Sequence, residues 1–138
     1  MGYISDVTIV CDKKTYEEIS RVLKECQMTP DKTWVNKNGH YRLWFHWDKW
    51  YYDHAFRIEE IIKGLDEDGD RFAMFLRSGE EFEDTERHEY GNYRLMEDYF
   101  PEVVLVVDGF GGEEIQCNPY FSNGRGAGYA ARVEGMDW

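Results

Sequence analysis

No run of about 18 apolar residues occurs anywhere in the 138-residue chain, which excludes a membrane-spanning helix. The start lacks a basic segment leading into an apolar stretch and a small-residue cleavage site, so a secreted protein is not expected and a cytoplasmic one is. Cysteine is scarce. Cys11, Cys26 and Cys117 are odd in number and widely spaced, with no CxxC pair, which excludes a disulfide framework or zinc ribbon and suits reduced thiols. Positive charge is also short: 16 Lys and Arg stand against 28 Asp and Glu, a net charge of -12. A field of that sign repels nucleic acid and lipid headgroups, so neither is expected as a direct partner.

Aromatic residues, by contrast, make up 17% of the chain, enough to build a core despite the charge. The length suits one domain, and no internal repeat or linker divides it. Charge is distributed unevenly. Residues 1–58 carry nine Lys/Arg and eight Asp/Glu, residues 59–114 five and eighteen, and the remainder two and two. The acidic excess therefore belongs to the middle segment.

Val7, Ile9 and Cys11 alternate with Asp6, Thr8 and Val10, the period of a strand. Thr15 and Glu18 have capping-box spacing, and Tyr16, Ile19, Leu23 and Cys26 then form a helical stripe. Lys37-Asn38-Gly39 lies between strands 34–36 and 40–47, where Asn-Gly supplies the positive φ angles of a tight hairpin. Asp53 is placed to cap a second helix with the stripe Ile58, Ile61, Ile62 and Leu65, ended by Gly64 or Gly69. Phe72–Arg77 reads as a strand and 78–92 as an acidic loop. Val103–Val107, apolar throughout, reads as a strand buried on both faces. The order implies an α+β fold: an antiparallel sheet with two helices on one face in the ferredoxin-like, split βαβ order, plus extra C-terminal strands. Residues 119–138, rich in glycine, are expected to pack back over the second face of the sheet, because the helices cover only one.

Several chemistries are excluded by spacing. A calcium loop beginning at Asp66 would need glycine at its sixth position and glutamate at its twelfth, where Arg71 and Arg77 stand. The glycines at 109, 111 and 112 precede Glu113 and Glu114, which would repel a phosphate. His40, His46, His54 and His88 form no metal motif, and no cysteine has a nucleophile signature. A protein without metal, cofactor or catalytic residues is expected. Two binding readings remain. Glu80, Glu81, Glu83, Asp84 and Glu86, with Phe82 as apolar anchor, would present a row of carboxylates to a basic protein surface, in the manner of a nucleic-acid mimic. Alternatively Arg42, Trp44, His46, Trp50 and Tyr52 would stack and hold a nucleotide or other small ligand.

The opening Met1-Gly2-Tyr3-Ile4-Ser5-Asp6-Val7, the Thr29-Pro30-Asp31-Lys32-Thr33-Trp34 turn, Asp48-Lys49-Trp50-Tyr51 and Arg77-Ser78-Gly79-Glu80-Glu81 resemble small acidic proteins of phages and prophages of gut and soil Firmicutes. The resemblance covers residues 1–90, and Val103–Trp138 departs from the pattern. It implies a protein of the infected or lysogenic bacterial cytoplasm. The family has no agreed activity, so the resemblance assigns no catalytic residue. An inhibitor of host defence, acting on a basic surface of a host or phage protein, is the expectation it raises.

Overall fold

Residues Ser5–Cys11, nearly all buried, form the strand β1 about which the sheet is ordered. In the computed structural model, which describes residues 3–81, 84–99, 105–108 and 114–119, β1 lies between β3 (Tyr41–Asp48) and β4 (Phe72–Gly79). It runs antiparallel to both. The side chains of Trp47 and Asp98 and of residues beyond 99 fall outside that description. A short β2 (Lys32–Val35) pairs outside β3, and β5 (Thr85–Gly91) pairs outside β4, giving five antiparallel strands in the order β2-β3-β1-β4-β5. Helix α1 (Lys13–Glu25) follows β1 and α2 (Asp53–Lys63) follows β3. The fold is therefore α+β, built on an antiparallel sheet.

Period-2 alternation decides which side of the sheet the helices cover. Val7, Ile9 and Cys11 of β1, Leu43 and Phe45 of β3, and Ala73 and Phe75 of β4 share one face, buried against Ile19, Val22 and Leu23 of α1 and Ala55, Ile58 and Ile62 of α2. Ile61 and Leu65, expected in the α2 stripe, are half-buried beside this core, as are Tyr16 and Cys26 of α1. Thr8, Val10, Arg42, Phe72, Met74 and Leu76 on the opposite face are buried as well. There a short helix α3 (Tyr93–Met96) and a 3₁₀ turn (Glu97–Tyr99) contribute Met96 and Tyr99, and the Tyr99 ring stacks on Phe72 at 6.0 Å.

Several local expectations are corrected. Helix α1 begins earlier than the Thr15 capping box implies: Asp12 is its N-cap, accepting from the Thr15 N–H at 3.0 Å and the Thr15 hydroxyl at 2.5 Å. The same carboxylate accepts the Phe72 N–H at 3.0 Å, so it ties the helix start to β4. Asp53 is the first residue of α2 rather than its cap; Tyr52 occupies the cap without a side-chain bond, and Gly64 ends the helix. The hairpin needs only one positive φ, at Gly39, because the Asn36 carboxamide oxygen accepts the Asn38 and His40 N–H groups and makes a three-residue loop. Residues 85–91 of the expected acidic loop are β5.

The described part of the expected strand Val103–Val107 does not join the main sheet. Leu105–Asp108 forms β6, paired antiparallel with β7 (Glu114–Pro119) in a separate two-stranded sheet that lies alongside β4. An apolar run reads alike whether its neighbours are strands of one sheet or a second layer. The glycines at 109–112 and the tail beyond Pro119, with its expected fold-back, lie outside the described residues. No described helix is long and apolar enough to cross a membrane.

Candidate functional site

Strand register sorts the acidic segment into two groups. Ser5 pairs with both Asp48 and Gly79, so the start of β1, the end of β3 and the β4–β5 turn share one end of the sheet. Cys11 pairs with Tyr41 and Ala73, which puts the Asp66–Asp70 turn at the other end. β4 is eight residues long and separates the two turns by roughly 25 Å. Glu86 and Glu89 lie between them on β5, the terminal strand. The acid thus follows one edge of the sheet instead of forming a single loop.

The β4–β5 turn is held by Arg77 and Tyr3, neither of which the sequence singles out. Arg77 reaches both oxygens of Asp84, at 2.6 and 3.2 Å, then Glu86 and the Ser5 hydroxyl at 3.0 Å. Tyr3 donates its hydroxyl to Asp84 at 2.6 Å and accepts the Glu81 N–H at 3.0 Å. Bonds from Arg77 and from Tyr3 hold the Asp84 carboxyl below its ordinary range, while burial and the same contact push the Tyr3 phenol up. A Cβ on Gly79 would fall into the Asp84 carboxylate and the Tyr3 ring, so a side chain there would push apart the groups that close on the turn.

Of the expected partner-binding residues, Asp84 and Glu86 are therefore committed to Arg77. Glu80 and Glu81 remain exposed, although one Glu80 oxygen accepts the Ile4 N–H at 2.7 Å. Phe82 and Glu83 lie outside the described residues. The missed signal was Arg77 itself, a lone cation nine and seven residues from Glu86 and Asp84, at hairpin reach once 85–91 is a strand.

The five residues of the ligand reading are not brought together. Arg42, Trp44 and His46 stand on the sheet face away from the helices: the Arg42 guanidinium, 1% exposed, lies 3.8 Å from the Trp34 ring, and His46 pairs with Asp6 at 2.9 Å. Trp50 is buried on the helix side between Phe45 and Phe75, its indole N–H donated to Glu59 at 2.8 Å. Tyr52 is exposed at the start of α2. The sheet passes between the two groups.

Comparison of the chain with protein-family models, curated proteins and solved structures gives no match. Cys11 is fully buried, and burial followed by the neighbouring Asp12 pushes its thiol well up, away from the thiolate a nucleophile requires. Cys26 is half-buried near Asp53 and Arg57. Among the described residues, no three His, Cys, Asp or Glu side chains are grouped to hold a metal ion. Open concavities among the described residues include a groove of about 460 Å³ between the helices, lined by Arg21, Val22, Arg57, Glu60 and Ile61, and a cleft of about 730 Å³ at the far end, lined by Glu67, Asp68, Tyr90, Tyr93 and Glu97. Carboxylates border both.

Proposed function

We propose that the protein is a non-enzymatic binding protein that engages a basic surface of a partner protein through the acidic edge formed by β5 and its flanking turns. The observation that carries this reading is the exposure of Glu80 and Glu81 on a turn braced by the Arg77–Asp84–Tyr3 network. The Ile4 N–H holds one Glu80 oxygen and the Tyr3 hydroxyl holds the Glu81 backbone, which lowers the ordering cost of binding through the exposed parts of these side chains. In keeping with the resemblance of residues 1–90, the reading extends to a phage or prophage accessory protein of the bacterial cytoplasm whose partner is a host or phage protein, with inhibition of host defence by nucleic-acid mimicry as its consequence. The strand order β2-β3-β1-β4, with a helix after β1 and another after β3, is what a ferredoxin-like arrangement with β5 appended would give. That arrangement hosts many activities and adds nothing to the functional argument.

Co-purification from the native host at low and at high salt, with mass-spectrometric identification of what is retained, tests the reading. Basic proteins retained at low salt and released at high salt are expected, because screening removes attraction between exposed charges. Retention unchanged by salt, or partners that are themselves acidic, would remove the electrostatic basis.

A further inference from the structure

Three of the five large apolar side chains that stay exposed among the described residues fall within six positions: Tyr51 at 54%, Tyr52 at 50% and Phe56 at 64%. The Tyr51 and Tyr52 rings meet edge to face at 4.9 Å. Phe56 stands one turn of α2 after Tyr52 and donates its N–H to the Tyr52 carbonyl at 3.3 Å. Beneath them the backbone is anchored, since Trp50 is in the core and His54 closes a 2.9 Å buried pair onto Asp48. Exposed aromatics are ordinary when scattered singly; three adjoining ones on a fixed base are the composition of an interface centre.

We propose that Tyr51, Tyr52 and Phe56 are the apolar anchor of the interface, received by a pocket on the partner protein that is rimmed by Lys and Arg. This rests on the basic-partner reading above. The chemistry of the rim selects the occupant. Asp53 and Glu60 lie three residues before and four after Phe56 on the same helix face, both exposed. Glu80 and Glu81 belong to the end of the sheet at which α2 begins. Against these four carboxylates stand Lys49 in the 49–53 turn and Arg57, which is held by Glu25 at 2.6 Å and reaches Asp53 at 3.9 Å. A second copy of this chain is a poor occupant, because a two-fold contact would set the same carboxylates against each other at a net charge of -12 per chain.

The test is a ¹⁵N-labelled titration with three synthetic probes: an amphipathic helical peptide with a leucine face and lysine flanks, the same peptide with glutamate flanks, and a lysine-rich peptide without the leucine face. The first should shift the amide signals of residues 51–56 and 80–81, and the second should leave them unmoved. Tyr52→Ser/Phe56→Ser should weaken the first probe at least about tenfold even at high salt, whereas Glu80→Lys/Glu81→Lys should weaken it mainly at low salt. All four side chains are exposed, so melting curves should match wild type; single Phe56→Ser serves if the pair does not. Wild-type affinity in the serine variants, or shifts mapped elsewhere, would overturn the anchor. If the lysine-rich probe then still binds at 80–81, the basic-partner reading survives alone, and if neither lysine probe binds, both fall. Shifts of residues 51–56 with protein concentration, without any peptide, would assign the patch to self-association and overturn the proposed partner.

Discussion

Replacing Arg77 by methionine preserves its length and removes its charge, leaving Asp84 and Glu86 close together without a cation. A loss on the order of 2 kcal/mol in urea unfolding is expected, since the Arg77 side chain is largely buried. The acid limb should change as well. Asp84 titrates lower folded than unfolded, so its contribution is complete above the ordinary carboxyl value of 3.8 and is lost as pH falls through its folded value; the variant should lack that part of the loss. His40 acts in another window. Burial lowers its folded value from 6.5, with Asp12 opposing, so the folded state favours neutral imidazole and stability should decline as pH falls below about 6.5. Its Nδ1 lies 2.6 Å from the Tyr99 hydroxyl, which accepts the Asn36 side-chain N–H at 2.8 Å. Tyr99→Phe should cost about 1–3 kcal/mol by leaving the buried Asn36 amide without that acceptor, measurable as a lower urea midpoint.

At the level of elements, Asp12 shows how a cap escapes notice. Thr15 and Glu18 have the spacing of a capping box, yet the helix starts three residues sooner because Asp12 can satisfy Thr15 and Phe72 together. Asp12→Ala should therefore cost about 2 kcal/mol or more by thermal or urea unfolding, at or above the usual loss of an N-cap, and Asp12→Asn less. The hairpin at Gly39 and both helical stripes were legible because each depends on local pattern alone. β5 was not, since Thr85-Glu86-Arg87-His88-Glu89 is the charged sequence of an edge strand and resembles a solvated loop. β6 was legible as a strand but not in its placement, because an apolar run does not say which sheet it joins. The aromatic reading of residues 42–52 went astray because sequence proximity cannot tell which face of β3 a residue occupies or where the chain leaves the sheet. The exposure of Phe56 is legible in its spacing: two residues before Ile58, it lies about 200° around α2 from the buried stripe.

Across the whole molecule, the division of charge along the sequence becomes a division across the sheet. The nearly neutral first part supplies β1, β2 and β3, and the acidic part supplies β4, β5 and the turns at either end. A basic partner approaching the β5 edge would be steered by the whole field, but would bind through whichever turn it contacts. Two variants of equal net charge separate these effects: Glu80→Lys/Glu81→Lys at the braced turn and Glu67→Lys/Asp68→Lys at the far end. The measurement is the amount of co-purified basic protein each retains from the native host at low salt. The braced-turn variant should lose the partner and the far-end variant should keep most of it. Equal loss from both, or loss only from the far-end variant, would contradict a binding surface centred on Glu80 and Glu81.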